Sequence, residues 1–263
     1  MVGISVDVQL NPGRSSWPEL RDMALAAEAA GYGTVWAYDH LAGSSVSGDR
    51  MLETFSLLGA LAVATTTIGL GTLVVNVNNR TPGLLAVAAA SIVAISGRSL
   101  HLGLGAGSSP TSRWAGEMRA VGQPIVDSLA GRHGRLAVVL DVLDRVYDPG
   151  RPPELATFPL PAPRPVVLVG VHSVALATLA GERADGVNVD WSGRRRDELL
   201  AAAVAARGDR PGFLRTAWAF WSPELVDPAS AERRAMEERG IDRLVLVVPA
   251  GVGPKELRRP VVA

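Results

Sequence analysis

The sequence contains no cysteine and a single lysine, and its positive and negative charges cancel. Without cysteine, the chain cannot be a disulfide scaffold, use a thiolate nucleophile, or hold an iron–sulfur cluster or a cysteine-based zinc site. The lysine, Lys255, lies near the C-terminus, which excludes Schiff-base chemistry at a strand end. The 26 basic and 26 acidic residues balance. This balance argues against a nucleic-acid partner, because such binding needs a basic stripe.

Long hydrophobic runs are also missing. The longest apolar stretch, 82–95, has 14 residues, fewer than the roughly 20 needed to cross a bilayer. The first ten residues have no basic region ahead of a hydrophobic one, so they resemble a strand more than an export signal. We therefore expect a cytoplasmic protein with no membrane partner. The hydrophobic content of 48% argues against disorder.

Short apolar runs rich in valine, isoleucine and leucine recur along the chain and predict buried parallel strands. The predicted strands are 3–8, 34–38, 68–75, 99–104, 165–170, 186–190, 214–220 and 243–248. Helical patterns separate them. The first helix begins at the capping box of Ser16 and Glu19 and ends at Gly31, and the others cover 52–65, 82–96, 125–147, 173–183, 193–207 and 228–239.

Eight strands that alternate with helices predict an α/β fold, a (β/α)8 TIM barrel formed by one domain over 1–263. Only 254–263 follow the last strand, so the barrel is expected to be shortened at its C-terminus. The alternative is a doubly wound open sheet. Against it, no complete G-x-G-x-x-G motif follows the first strand.

Ligands of parallel α/β folds bind where the strands end, and the residues there are mainly amides, small residues and aromatics. They suit a large, flat, polar ligand. The four histidines, 40, 101, 133 and 172, have no metal-ligand spacing, so no metal site is expected. His101 lies within a strand and is interpreted as a packing residue, whereas His172 either binds the ligand or only ends a strand. Trp218 and Trp221 are either site or core residues.

Several segments together resemble the luciferase-like monooxygenase superfamily, in particular its deazaflavin-dependent (coenzyme F420) branch. The matching segments are AAEAAGYGTVWAYDHL (26–41), TTIGLGTLVVNVNNRTPGLLAVAAASIVAISGRSLHLGLGAG (66–107), RPVVLVGVHSVALATLAGERADGVNV (164–189) and GIDRLVLVVP (240–249). The resemblance covers nearly the whole chain in order. It implies a barrel that binds F420 or FMN at its C-terminal mouth, with hydride transfer for F420 and oxygen activation for FMN.

The resemblance also implies which residues line the cofactor. Besides the catalytic candidate His40, these are Asp39, Leu73, Val74, Asn76, Ala106, Gly107, Ser108, Gly170, Val171, His172 and Ser173. It further implies a cis peptide bond between Leu73 and Val74. Sugar-phosphate dehydrogenases of this branch carry a glutamate just after the fourth-strand glycines. Here Ser108 stands at that point, which argues against a sugar-phosphate substrate.

His40 is the predicted catalytic residue, because hydride transfer to a carbonyl or from an alcohol also requires a proton to move, and histidine suits that role near neutral pH. Asp39 is adjacent and should point the other way, towards the cofactor or a loop. We expect an F420-dependent oxidoreductase, with an FMN-dependent monooxygenase or a non-catalytic ligand-binding barrel as alternatives. Helices 52–65 and 82–96 lack a polar face, which predicts a homodimer through them.

Overall fold

Eight parallel strands close into a barrel in the computed structural model, which describes residues 3–261; residues 1, 2, 262 and 263 of the predicted domain lie outside this part. Each strand pairs with the next along the chain, and β8 pairs with β1. The strands are β1 (Ser5–Leu10), β2 (Thr34–Ala37), β3 (Gly69–Asn76), β4 (Leu100–Gly105), β5 (Val166–Gly170), β6 (Gly186–Asp190), β7 (Leu214–Phe220) and β8 (Arg243–Val247). The predicted (β/α)8 barrel is confirmed, and the open sheet is excluded because β1 and β8 are hydrogen-bonded.

Ten helices surround the described part of the barrel. They are α1 (Trp17–Ala29), α2 (Thr54–Ala64), α3 (Pro82–Ser96), α4 (Ala115–Ala120), α5 (Leu129–Val146), α6 (Val174–Arg183), α7 (Arg196–Arg207), α8 (Pro223–Val226), α9 (Ala231–Glu238) and α10 (Pro254–Leu257). Glu19 accepts a hydrogen bond from the backbone N–H of Ser16 (2.7 Å), as the capping box predicts. No helix among residues 3–261 is long and apolar enough to span a bilayer.

The predicted boundaries differ from the structure mainly after β4. The pattern predicts a helix from residue 125, whereas α5 begins at Leu129, because the hydroxyl of Ser128 accepts the Gly131 N–H (3.0 Å) and caps the helix there. The short helices α4 and α8 were not predicted, because they contain too few residues to show a helical hydrophobic period. The one-turn helix α10 follows β8 in the described part of the chain.

The barrel separates an apolar outer layer from a partly polar interior. Along β1, Val6 and Val8 pack in the main core between strands and helices. Asp7 and Gln9 alternate with them and are buried on the inner face. A smaller apolar cluster of Trp36, Leu73, Leu168 and Val245 is completed by the partly buried Val74, Val166, Leu214 and Trp218. These two layers support the mouth from below.

A buried ion pair ties the ends of the sheet together inside the barrel. Asp7 is fully buried and accepts hydrogen bonds from Arg243 (2.6 and 2.7 Å) and from the indole N–H of Trp36 (2.9 Å). The same arginine donates to the hydroxyl of Thr34 (3.0 Å). Burial raises the pKa of the Asp7 carboxyl, and the charge of Arg243 opposes this rise. The network joins β8, β1 and β2.

Strand β3 is irregular where it reaches the mouth. Its register with β4 shifts between Thr72 and Val75, and the Leu73–Val74 peptide bond is cis. The cis bond that the resemblance implied is therefore present. The side-chain amide of Gln9 donates a hydrogen bond to the Leu73 carbonyl, so the inner face of β1 holds this segment in place.

Candidate active site

A histidine and a glutamate form a pair at the C-terminal mouth of the barrel. The Nδ1 atom of His40, three residues after β2, lies 2.8 Å from Oε1 of Glu117 on α4. The glutamate side chain is 3% exposed and that of the histidine 20%. Because an ionised carboxylate only accepts hydrogen bonds, Nδ1 donates its proton to Glu117, and Nε2 is the ring nitrogen that does not contact the carboxylate. Within residues 3–261, no group hydrogen-bonds Nε2.

Glu117 also organises the loop that follows the histidine. Its second oxygen accepts hydrogen bonds from the backbone N–H groups of Leu41 (3.0 Å) and Ala42 (3.1 Å) and from the hydroxyl of Ser45 (2.7 Å). Burial favours a higher pKa for the Glu117 carboxyl, but the hydrogen bonds from His40, Ser45 and the loop outweigh burial and lower it. The carboxylate is therefore ionised and fixes both the ring and the loop.

The Asp39 carboxylate binds the loop after β3, as one of its two predicted roles requires, whereas His40 binds Glu117 on α4. Its carboxylate is bound by both terminal nitrogens of Arg80 (2.8 Å each) and by the backbone N–H of Asn76 (2.9 Å). A further weak contact comes from Asn79 (3.3 Å). Asp39 is buried, so its direct role in the structure is to hold the end of β3 against β2.

Two glycines make room for Val74, which is partly exposed at the mouth. A Cβ atom on Gly105 would lie 2.6 Å from the Val74 side chain, and a Cβ on Gly170 would lie 2.9 Å from it. Gly107 has φ +91°, and a Cβ there would lie 2.1 Å from the Asn78 side chain. The ends of β3, β4 and β5 thus form an apolar shelf with small residues around it.

The other predicted cofactor residues have different surroundings. Leu73 is buried below the shelf, and the side chain of Val171 packs in the outer core, so only its backbone borders the mouth. Ala106 and Ser108 are half-buried in the loop after β4, and His172 is exposed. Asn76 accepts a hydrogen bond from the Asn78 N–H (3.0 Å), and Ser173 caps α6 by accepting from the Leu176 N–H (3.2 Å).

The remaining candidates divide between core and mouth. His101 lies in the barrel interior with its ring 5.4 Å from that of Trp36, and burial lowers its pKa to about 3, with a further contribution from the charge of Arg243. It therefore stays neutral and packs, as interpreted from the sequence. Trp221 is a core residue that donates to Tyr32 (3.0 Å). Trp218 remains half-buried beside the mouth.

Metal-ligand groups do not occur in the described chain: residues 3–261 contain no cluster of three or more histidine, aspartate or glutamate side chains that could hold an ion. The mouth instead contains the His40–Glu117 pair, which can transfer a proton, beside an apolar shelf. Such an arrangement is typical of a (β/α)8 enzyme that works on an organic ligand.

Sequence reasoning did not single out Glu117. It lies 77 positions from His40 along the chain, in a six-residue helix with no hydrophobic period. The available signal was its place in the long segment after β4, since the loops after barrel strands form the mouth.

Comparison with known proteins identifies the family. The family model for luciferase-like monooxygenases matches residues 1–244. The chain belongs to the luciferase-like monooxygenase family and is an enzyme of that family.

One of two curated relatives is named as an F420-dependent dehydrogenase, and the other is named as a reductase. An F420-dependent hydroxymycolic acid dehydrogenase from Mycobacterium tuberculosis is 27% identical over 88% of this chain and 71% of its own length. A 5,10-methylenetetrahydromethanopterin reductase from Methanolobus tindarius is 30% identical over 72% of this chain. The matched region spans 55% of that reductase.

Solved structures agree on the fold. An F420-dependent secondary alcohol dehydrogenase, solved with an F420–acetone adduct, superposes with a TM-score of 0.80 at 13% identity, covering 99% of this chain and 98% of the other. A coenzyme F420-dependent tetrahydromethanopterin reductase from Methanopyrus kandleri has a TM-score of 0.72 at 15% identity, covering 98% and 97%. A monooxygenase from Streptomyces bottropensis has a TM-score of 0.70 at 17% identity, covering 98% and 96%.

Proposed function

We propose that the protein is an F420-dependent oxidoreductase that transfers hydride between the deazaflavin and a small organic substrate at the barrel mouth. The observation that carries this proposal is the His40–Glu117 pair, in which Glu117 orients the ring and Nε2 of His40 has no hydrogen-bond partner among residues 3–261. The name of the Mycobacterium tuberculosis relative, an F420-dependent dehydrogenase, supports the choice of F420. When bound, F420 supplies or accepts the hydride.

His40 handles the proton that accompanies the hydride. In the oxidation of an alcohol, the C–H bond gives up a hydride and the O–H bond gives up a proton, and a carbonyl compound remains. Nε2 of His40 accepts that proton while Glu117 stabilises the resulting imidazolium. In the reverse direction the same nitrogen donates the proton to the carbonyl oxygen. Such general acid–base assistance typically contributes about 10²–10⁴-fold to the rate.

The apolar shelf suits the face of a flat ring. Val74 presents its side chain to the mouth. Gly105 and Gly170 leave the space that this side chain occupies, because a Cβ atom on either glycine would clash with it. We propose that this shelf supports the deazaflavin, with Leu73 below it and the remaining predicted residues around its edge: Asp39, Asn76, Ala106, Gly107, Ser108, Val171, His172 and Ser173. Asp39, which binds Arg80, acts on the cofactor through the β3 end.

A cofactor titration tests the proposal. F420 and FMN are titrated separately into the purified protein while their fluorescence is followed. We expect F420 to bind at micromolar concentrations or tighter and FMN to bind weakly. Tight FMN binding without F420 binding would identify the FMN-dependent alternative, and binding of neither would favour a non-catalytic barrel.

Gly170→Ala tests the shelf itself. The added Cβ would meet Val74 at 2.9 Å and displace it, so we expect F420 affinity to fall about tenfold, a loss of roughly 1.4 kcal/mol. Gly83→Ala is the matched control, because a Cβ there meets nothing within 4 Å. Equal F420 affinities for the two variants would contradict a ring on this shelf.

We also propose a homodimer through α2 and α3. Their outward faces expose Val63 (75%), Leu84 (58%) and Ile95 (55%), and neither helix contains a charged residue. A second copy of the same surface would remove these side chains from water.

A further inference from the structure

A cavity of about 420 Å³ lies between the loops that follow β1 and β8. In the closed barrel, β2 lies between β1 and β3. His40 follows β2, so it stands between this cavity and the proposed cofactor shelf on β3 to β5. The loop that carries His40 is therefore the neighbour of the loop after β1, which borders the cavity, and of the shelf.

Apolar and charged groups line different parts of this cavity. Met23, Val248, Pro249 and Val252 provide an apolar wall. Glu19 and Glu256 also border it, but each is bound by the backbone N–H that precedes its own helix, at Ser16 (2.7 Å) and Gly253 (2.9 Å). These hydrogen bonds lower the pKa of both carboxyls. Among residues 3–261, the one cation that borders the cavity is Arg14.

Arg14 is held in place by two loops that touch each other's backbone. A Cβ on Gly48 would lie 1.7 Å from the Gly13 carbonyl oxygen, so the loops meet without side chains between them. The Nε of Arg14 donates to the carbonyl of Ser47 (3.1 Å). Within residues 3–261, its two terminal nitrogens have no hydrogen-bond partner, and no carboxylate lies within 4 Å. Arg14 is half-buried.

The charge of Arg14 acts on a residue in the segment that carries His40. Burial raises the pKa of Tyr38 to about 12, and the positive charge of Arg14 acts in the opposite direction. The Tyr38 ring lies 6.3 Å from that of His40. Tyr38 thus links the charge of Arg14 to the segment that carries His40.

We propose that Arg14 binds a carboxylate of the substrate, so that the substrate is an alcohol or carbonyl compound with an apolar body and an acid group. A fixed guanidinium with two unused N–H-bearing nitrogens is suited to a carboxylate, which can accept both hydrogen bonds at once. The apolar wall of the cavity accommodates the body. The description of the ligand as a substrate rests on the proposed function, whereas the binding of a carboxylate does not.

Binding of three matched probes tests this assignment. Hexanoate, hexanamide and hexylamine share one chain length and differ in the charge of the head group. Their affinities for the cofactor-free protein are measured by isothermal titration calorimetry, for wild type, Arg14→Gln and Arg21→Gln. Arg21 is the matched control, because it lies on α1 with an exposed side chain paired to Asp22. Circular dichroism and thermal unfolding establish that the variants fold.

We expect wild type to bind hexanoate at least about tenfold more tightly than hexanamide, since one charge-assisted contact provides the difference. The preference should fall to within about twofold in Arg14→Gln and persist in Arg21→Gln. Equal binding of hexanoate and hexanamide, a preference for hexylamine, or retention of the hexanoate preference in Arg14→Gln would overturn the proposal. If Arg14→Gln does not fold, Arg14→Lys replaces it. If Arg14→Lys binds hexanoate as tightly as wild type and prefers hexanoate over hexanamide to the same extent, the bidentate contact is overturned.

The F420 titration of the wild-type protein is read separately. Loss of the hexanoate preference in Arg14→Gln without any F420 binding would leave the carboxylate site in place and reject the proposed function. F420 binding without a preference for hexanoate would reject the carboxylate site and leave the proposed function in place.

Discussion

The side chains of His40 and Glu117 meet at 2.8 Å although 77 positions separate them along the chain. The same carboxylate binds the backbone N–H groups of Leu41 and Ala42. The indole of Trp114, next to α4, donates to the carbonyl of Ser45 (3.1 Å). The loop after β2 and the helix after β4 therefore form one unit, and the orientation of the catalytic candidate depends on both.

Replacement of His40 by alanine should abolish proton transfer while cofactor binding remains. We expect turnover to fall by at least about a hundredfold and F420 affinity to change by less than about threefold, because the shelf at Val74 is untouched. The measurement is the rate of reduction of bound F420 by a panel of secondary alcohols and hydroxy acids. His172→Ala is the comparison, since His172 is exposed and carries no hydrogen bond in the described structure. If His172→Ala abolishes the rate and His40→Ala does not, the assignment is wrong.

Glu117 is expected to act as a positioning residue, and two substitutions separate its roles. Glu117→Gln retains an oxygen for the loop amides but loses the charge that stabilises imidazolium, so kcat should fall about tenfold with KM nearly unchanged. Glu117→Ala loses the loop contacts as well, so kcat should fall further and the 41–47 loop should become more sensitive to protease. A Glu117→Gln enzyme with wild-type kcat would exclude a role for the charge.

The strands were predictable because burial on both faces makes each one a continuous apolar run. β6 and β7 match their predicted ranges, and β2, β5 and β8 differ from theirs by one residue at an end. His40, Val74 and Gly170 lie at strand ends, so the sequence also predicted which segments reach the mouth. The Glu117 contact was not predictable, because it depends on the path of a segment with no hydrophobic period.

The side of the barrel that each residue faces was predictable only in part. The alternation of side chains predicted that Asp39 and His40 point in opposite directions. The partner of Asp39, Arg80, is 41 positions away along the chain, and no local sequence pattern indicates that pairing. Arg14 was not singled out at all. Its orientation depends on the contact between Gly13 and Gly48, a tertiary contact between two loops that no periodicity records.

Glu28 should make the stability of the protein depend on pH. Its carboxylate accepts hydrogen bonds from the backbone N–H groups of Thr66 (2.8 Å), Thr67 (2.5 Å) and Ile68 (2.9 Å). Although burial opposes the shift, these bonds lower the pKa of Glu28 to about 2. Because the folded state has the lower pKa, the stabilisation is complete above the ordinary value of 4.5 and is lost as the pH falls towards about 2.

Glu28→Gln is the corresponding variant. We expect it to lower the free energy of unfolding by about 1–2 kcal/mol near neutral pH, a value reduced from the full pKa shift because the side chain is partly solvated. The difference from wild type, measured by urea unfolding, should shrink as the pH falls below about 4.5. Glu182→Gln, an exposed residue on α6, should show no such trend. A Glu28→Gln deficit that does not change with pH would contradict the argument.

Val63→Arg tests the proposed dimer. Val63 is 75% exposed on α2, and an arginine at the centre of a self-complementary interface would place two like charges together. We expect light scattering to show a dimer for wild type and a monomer for Val63→Arg at tens of micromolar. Val138→Arg on α5, where Val138 is 47% exposed, should leave the mass unchanged. A monomeric wild type at this concentration would reject the dimer.

Arg243→Met should destabilise the barrel strongly, because it leaves the fully buried Asp7 without its counter-ion. Breaking a buried pair from one side costs about 3–5 kcal/mol, measured by urea unfolding. The double variant Asp7→Asn, Arg243→Met should recover a large part of that loss, since the neutral amide still accepts the Trp36 N–H without a buried charge. Arg164→Met, which removes an exposed pair with Asp144, should cost at most about 1 kcal/mol. If Arg243→Met costs no more than Arg164→Met, the ion pair between β1 and β8 does not hold the barrel closed, and the apolar outer layer alone carries its stability.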